Sequence, residues 1–279
     1  MFEYSPIIDR PEWRLPNDAR IAVYIGLNVE HYELNRPSTS IFPGTAHLDP
    51  DPLNYGWRDY GVRVGIWRVA DVLDRHAVRA SVLLNSDVCE HYPRIIEEGN
   101  KRDWVWAAHG KNNSTFQHDV SNERHYLEDV LATIHRSTGQ PPVGWLGPAL
   151  TETYDTIEIL EGNGIRYVLD WCNDDQPCRI PTKLGRMISV PYSIEVNDIP
   201  LFVGKSLSGE GFLQIVKDQF DTLYAEGSRV MAVGLHPFII GQPFRIKYLD
   251  LALEYISDHD DVWLTTSDEI ADWFLRNDG

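Results

Sequence analysis

Short apolar runs recur along this chain, and several of them end on one polar side chain. Residues 21–27 lead into Asn28, Val29 and Glu30, and residues 104–108 into His109. Residues 166–169 lead into Asp170 and Trp171, and residues 230–235 into His236 and Pro237. Further runs lie at 78–84 (ending at Asn85), 143–146, 188–192 (ending on Tyr192) and 262–265. Most are bounded by Asn, Asp, Gly or Pro, as expected for strands buried on both faces. Between them lie stripes at helical spacing: Val62, Ile66, Val69 and Leu73 within 60–75, Leu127 to Ile134, and Phe212 to Leu223. Thr266 to Glu269 reads as a capping box that opens a last helix. Unbroken alternation of this kind predicts an α/β chain built on a parallel sheet or a (β/α) barrel. Barrel enzymes collect their catalytic groups at the C-terminal strand ends, so Glu30, His109, Asp170 and His236 are expected to share one pocket.

The chain's 279 residues are expected to form a single domain, 1–279, with an N-terminal arm at 1–19. Long loops are expected at 31–59, which holds Pro37, Pro43, Pro50 and Pro52, and at 173–186. Loops of that length in compact domains serve as lids or subunit contacts. A net charge of −17 argues against nucleic acid and anionic membrane as partners. No run approaches the ~20 apolar residues of a membrane span, and the first residues lack the basic and apolar regions of a signal peptide. Cys89, Cys172 and Cys178 form no Cys-x-x-Cys pair, which argues against a disulfide framework and a structural zinc. A cytoplasmic address is expected.

Tyr60-Gly61-Val62-Arg63-Val64-Gly65 followed by Trp67-Arg68, then Gly234-Leu235-His236-Pro237 and Gly241-Gln242-Pro243, carry a resemblance. The chain resembles the NodB-homology, or polysaccharide deacetylase, superfamily from about Ile21 to its C-terminus. Within it, the chain looks most like the branch of metal-independent allantoinase and cyclic imide hydrolases. The resemblance implies a distorted (β/α) barrel of the NodB type, a small-molecule substrate and a homo-oligomer, most simply a tetramer.

It also implies a set of parts, and this chain departs from several. The superfamily's first carboxylate position matches Asn28, which cannot take a proton from water; Glu30, two residues on, lies on the same face of an extended strand. His109 matches the first metal-binding His, but the position four residues on is Asn113. The arginine that tunes the base matches Leu146. Glu30 and His109 alone make a poor zinc site, since catalytic zinc usually has three protein ligands. No cofactor is therefore expected; zinc held by Glu30 and His109 is the alternative. Asp170 is expected to steady His236, fixing its tautomer and raising its pKa so that it donates as a general acid.

Substrate contacts are expected from Asn28, Arg58, Tyr60, Asn85, Asn113, Trp145, Trp171 and Tyr192. The leading expectation is a hydrolase of non-peptide carbon–nitrogen bonds acting on a small cyclic amide or imide. Water attacks the carbonyl, Glu30 orients or deprotonates it, His109 holds the water or the oxyanion, and His236 protonates the leaving nitrogen. Asn28 and Asn113 serve as neutral oxyanion donors. Two alternatives stay open: a metal-dependent deacetylase of polysaccharides or N-acetyl sugars, and a non-catalytic small-molecule-binding protein of the same fold.

Overall fold

The computed structural model describes residues 2–114, 118 and 120–277. Nine strands form one sheet: β1 (Ile21–Val29), β2 (Ala80–Leu84), β3 (Val105–Ala108), β4 (Gly144–Trp145), β5 (Tyr167–Val168), β6 (Cys178–Arg179), β7 (Ile188–Ser189), β8 (Arg229–Leu235) and β9 (Val262–Thr265). The order is β6-β7-β5-β4-β3-β2-β1-β8, with β9 paired to the first half of β1. Every pairing is parallel except β6 with β7. The apolar runs predict each of these strands except β6, which lies inside the loop expected at 173–186. Between β7 and β8 the wall is completed by irregular chain, through a parallel bridge from Asn197 to Gly234 and the Asp175 carbonyl, which accepts the Val230 N–H. The result is a distorted (β/α) barrel.

The two faces of the sheet are chemically distinct. Ile21, Val23, Ile25, Leu27 and Val29 of β1 pack outward with Val82, Leu84, Ala108, Trp145, Val168, Met231, Val233 and Leu235 against the helices. Ala22, Tyr24, Leu83, Ala107, Leu146, Tyr167, Leu169, Tyr192, Val230 and Ala232 form the inner cluster. Because side chains alternate along a strand, Asn28, Glu30, Asn85, His109 and His236 continue the inward set. Asp170 continues the outward one, after Val168.

The final helix, Ser267–Asn277, closes the barrel's N-terminal end. Its Ser267 N–H donates to Ser81 Oγ at 2.8 Å, and Tyr167 Oη donates to Asp268 at 2.6 Å. Thr266 Oγ1 accepts the Glu269 N–H as the capping box predicts. The Glu269 carboxylate turns instead to Arg79 and Thr265.

The loop expected at 31–59 is shorter, because Pro52–Tyr60 is a helix. Asp51 caps it, accepting the Asn54 N–H, and Pro52 sits at its first turn, where a missing N–H is harmless. A π turn, Gly61–Gly65, joins it to the helix Ile66–Arg75. The glycines of the two resemblance motifs meet here. A Cβ on Gly65 would stand 2.0 Å from the Pro237 carbonyl oxygen, and one on Gly241 would stand 2.5 Å from Gly65 Cα. The motifs therefore build a close backbone joint directly behind His236.

Candidate active site

Glu30, His109 and His236 meet inside the barrel at the C-terminal ends of β1, β3 and β8. Their exposures are 6%, 2% and 5%. Glu30 Oε1 stands 3.4 Å from His109 Nε2 and 3.8 Å from His236 Nε2. The carboxylate also accepts from the Tyr32 hydroxyl on Oε2 and from the Asn113 amide on Oε1. Burial pushes the Glu30 carboxyl up, but His236, His109 and the Tyr32 hydroxyl outweigh it, and the net lies below its ordinary value. His109 Nδ1 donates to the Leu146 carbonyl at 2.7 Å. A carbonyl can only accept, so the tautomer is fixed and Nε2 is turned toward Glu30.

His236 does not pair with Asp170. Its Nδ1 donates to Asp198 Oδ1 at 2.6 Å, and its backbone N–H to Asp198 Oδ2 at 2.8 Å. Asp198 is fully buried. Burial alone would lower the His236 pKa, but Asp198 and Glu30 reverse that and hold it above the usual imidazole value. Burial likewise raises Asp198, against the pull of His236. Asp170 instead faces the helix layer, where its Oδ1 accepts the Gly147 N–H at 2.6 Å. The physical reason is strand parity: it follows Val168 on the outer face. Trp171 lies with it, edge-on to Phe2 at 5.3 Å.

Several expected substrate contacts serve the framework instead. Trp145 is 0% exposed and belongs to the outer core, so it is not a pocket wall. Asn85 brackets the site, accepting from the His31 N–H and donating to the His109 carbonyl and Asn113 Oδ1. Asn113 is committed to Glu30. Asn28 donates to Tyr192 Oη and the Leu235 carbonyl, both at 3.1 Å. Both N–H groups of the Asn28 amide are thus taken, and one of the two on Asn113 is given to Glu30.

The remaining candidates are also engaged. Tyr192 Oη also accepts from Asn197. Arg58 lies in the helix Pro52–Tyr60, 3% exposed. Its guanidinium carbon is 5.0 Å from the Tyr32 ring centroid, and it donates to the Thr39 carbonyl. It braces the Tyr32 that holds Glu30. Tyr60 accepts from Arg68, which also donates to the Gly241 carbonyl, and so belongs to the glycine joint.

The residues do not fit a catalytic zinc. Both Glu30 oxygens already accept hydrogen bonds, the residue four beyond His109 is a donor amide, and His236 is held by Asp198. Among the described residues no group of three or more His, Cys, Asp or Glu is arranged to hold a metal ion.

Sequence reasoning missed Asp198, Tyr32 and Asn197. Tyr32 carried a signal: it continues the parity of Asn28 and Glu30. Asp198 sits in irregular chain before Pro200, with no strand run to point to it, and only the bridge from Asn197 to Gly234 brings it beneath His236.

No protein-family model matches the chain. A Schizosaccharomyces pombe protein named for polysaccharide deacetylation is 25% identical over 300 residues, covering 95% of this chain and 92% of its own. A solved Pseudomonas aeruginosa PAO1 structure, also named for polysaccharide deacetylation, superposes with a TM-score of 0.88 at 27% identity, over 96% of this chain and 95% of its own. The Puue allantoinase structure has the same fold, with a TM-score of 0.88 at 23% identity over 99% of each chain. A barrel broken between β7 and β8, a strand-end His after a Gly-Leu pair, and a glycine joint behind it thus accompany likeness over nearly the whole length, and together they support the NodB-homology, or polysaccharide deacetylase, superfamily for this chain.

Proposed function

We propose that the interior cluster hydrolyses a carbon–nitrogen bond in a small cyclic amide or imide, without a metal ion. One observation carries this reading: a buried Asp198–His236 pair and a tautomer-fixed His109 both face the single carboxylate of Glu30. Likeness to that superfamily supports a hydrolase of non-peptide carbon–nitrogen bonds, and the cyclic substrate is the finer step. It draws on the Puue allantoinase fold and on the donor-capped Glu30, which suits water better than zinc.

In the proposed reaction Glu30, kept ionised, orients water for attack on the carbonyl carbon. A lowered pKa makes it a weak proton sink, so His109 Nε2 takes the water's proton as the oxygen–carbon bond forms. His236, with its raised pKa, gives its Nε2 proton to the leaving nitrogen as the carbon–nitrogen bond breaks. Glu30 Oε1 lies between the two imidazoles and offers the path that returns a proton from His109 to His236. The 31–51 segment is tied to the backbone of Asn113 beside the cluster: the Ser38 hydroxyl donates to the Asn113 carbonyl at 2.7 Å, and the Asn113 N–H to the His31 carbonyl at 3.0 Å.

A deacetylase of N-acetyl sugars is the second reading, favoured by the names of the relatives. Purified protein assayed on hydantoin, succinimide and allantoin, and on N-acetylglucosamine oligomers, each with and without chelator, separates the two. Turnover of a cyclic amide that survives chelation and stops in His236→Ala is expected. Turnover confined to N-acetyl sugars and restored by zinc would overturn the proposal.

A further inference from the structure

Tyr192 lies inside the barrel, beneath the hydrolytic cluster. Its ring rests against β1, where a Cβ on Gly26 would stand 2.9 Å from it, and its hydroxyl against β8, where one on Gly234 would stand 2.7 Å away. Gly26 and Gly234 are partners in the β1–β8 register. Inward side chains recur at every second residue of a strand. Asn28 and then Glu30 therefore follow Gly26 on β1, and His236 follows Gly234 on β8. The Tyr192 hydroxyl, bonded to Asn28, thus sits one inward step, about 6.5 Å, below the level of Glu30 and His236. A phenol hydrogen bond, a carbonyl bond and the approach of a water nucleophile together span about 7 Å, so a substrate carbonyl fits that step.

The bonding of this hydroxyl leaves its proton over. Tyr192 Oη accepts from Asn28 Nδ2 at 3.1 Å and from Asn197 Nδ2 at 3.2 Å. Neither amide can be turned round. The same Asn28 Nδ2 donates to the Leu235 carbonyl, which only accepts, and Asn197 Oδ1 accepts the Ile199 N–H, which only donates. Both lone pairs of Oη are therefore filled, and its own proton has no acceptor within hydrogen-bond distance among the described residues. Tyr192 is 4% exposed, and buried donors are nearly always paired. Burial, with the charges of Asp198 and Glu30, holds the phenol above its ordinary value despite the bond from Asn28, so it stays protonated. The two amide donors polarise the O–H and strengthen it as a donor.

We propose that Tyr192 is a catalytic residue: its O–H, oriented by Asn28 and Asn197, donates to the carbonyl oxygen of the substrate and stabilises the oxyanion. The inference rests on the hydrolysis proposed above and supplies the donor that the fully engaged Asn28 amide cannot. As the water oxygen bonds to the carbonyl carbon, the C=O π pair moves onto the oxygen facing Tyr192. When the carbon–nitrogen bond breaks, that pair returns and the C=O re-forms. The phenol proton stays on Tyr192 throughout, and its hydrogen bond is strongest while the oxygen is negative.

The first test compares Tyr192→Phe with the wild-type chain on succinimide. kcat should fall about 10²–10³-fold, as for loss of one oxyanion donor, with KM nearly unchanged. A rise in KM at unchanged kcat would overturn the role. Two further readouts exclude a purely structural hydroxyl. Tyr192→3-fluorotyrosine makes the hydroxyl a stronger donor and a weaker acceptor, so kcat should rise; an unchanged or lower kcat shows a hydroxyl that only anchors the two amides. In Glu30→Gln, which slows turnover, the infrared carbonyl band of bound 13C-labelled succinimide should lie at lower frequency than in the Glu30→Gln, Tyr192→Phe double variant. Equal frequencies would mean that the proton never reaches the substrate. Should Tyr192→Phe fail to fold, the fluorotyrosine chain decides. Turnover of N-acetylglucosamine oligomers and of no cyclic amide would sink the cyclic-amide reading alone, since the same comparisons on that amide carbonyl still test Tyr192.

Discussion

Asp198→Asn is the most discriminating single change. The substitution keeps the shape but removes the charge beneath His236. It also turns an amide NH2 toward one of the two donors, Nδ1–H or backbone N–H, that the carboxylate now accepts at 2.6 and 2.8 Å. A hydrogen bond to a charged group contributes about 1.5–3 kcal/mol. If most of that favours the imidazolium, the His236 pKa falls by about 1–2 units, at 1.36 kcal/mol per unit. The alkaline limb of kcat/KM, which reports loss of the acid, should then move to lower pH by the same interval, with turnover at the optimum down about 10–100-fold. Because the folded His236 pKa is raised, its contribution to stability is fully present below the unfolded value of about 6.5 and lost as pH rises through the folded value. Asp198, itself held up by burial, changes stability in the same direction. The wild-type advantage over Asp198→Asn should therefore narrow as pH rises. Side-chain NMR titration of His236 and urea unfolding at pH values spanning its transition measure both effects. Asp170→Asn is the control, since Asp170 lies on the outer face. An unmoved limb in Asp198→Asn, or a shifted one in Asp170→Asn, refutes the assignment.

Glu30→Gln should reduce turnover by about 10²–10⁴-fold. Glu30's pKa is lowered in the folded chain, so its stabilisation is present above about pH 4.3 and lost as pH falls through the folded value; urea melts at acid and neutral pH should show the wild-type advantage closing in acid. Gly65→Ala drives a Cβ into the Pro237 carbonyl and should destabilise by at least about 1–3 kcal/mol; a calorimetric Tm indistinguishable from wild type would refute the joint. Leu34, Ile41, Phe42, Leu48 and Leu53 are exposed on and beside the 31–51 segment, and sedimentation should show a homo-oligomer, most simply a tetramer, that Phe42→Asp with Leu48→Asp weakens.

Much of the fold was legible because buried parallel strands are continuous apolar runs, and eight of the nine strands are such runs. What escaped was held by long-range contact rather than local pattern. The pair Cys178–Arg179 is a strand only because β7 lies beside it. The helix Pro52–Tyr60 hides among prolines, although Pro52 in its first turn marks a start rather than a break. In the site, His109 and His236 announce themselves as lone polar residues after apolar runs. Asp198 does not, since the chain between β7 and β8 has no periodicity to read.

Asp170 is the instructive error, because the sequence contains its correction. Strand ends deliver side chains to both faces, and the inner face of a narrow barrel has room only for particular residues. On β1 the inward series is Ala22, Tyr24, Gly26, Asn28, Glu30, while the outward series is wholly aliphatic: Ile21, Val23, Ile25, Leu27, Val29. Small residues on the inner face make space: a Cβ on Gly26 would stand 2.9 Å from the Tyr192 ring, and one on Gly234 would stand 2.6 Å from Asn197 Nδ2. Those two side chains position Asn28 and the bridge that carries Asp198 to His236. On β3 the inward residue before His109 is Ala107, and on β8 the inward residue before His236 is Gly234. On β5 the residue two before Asp170 is Val168, aliphatic and outward, whereas Tyr167 and Leu169 face in. Counting back by two, to inward Ala107 and Gly234 behind the two histidines but to outward Val168 behind Asp170, thus separates the groups that share the interior from the one on the outer face.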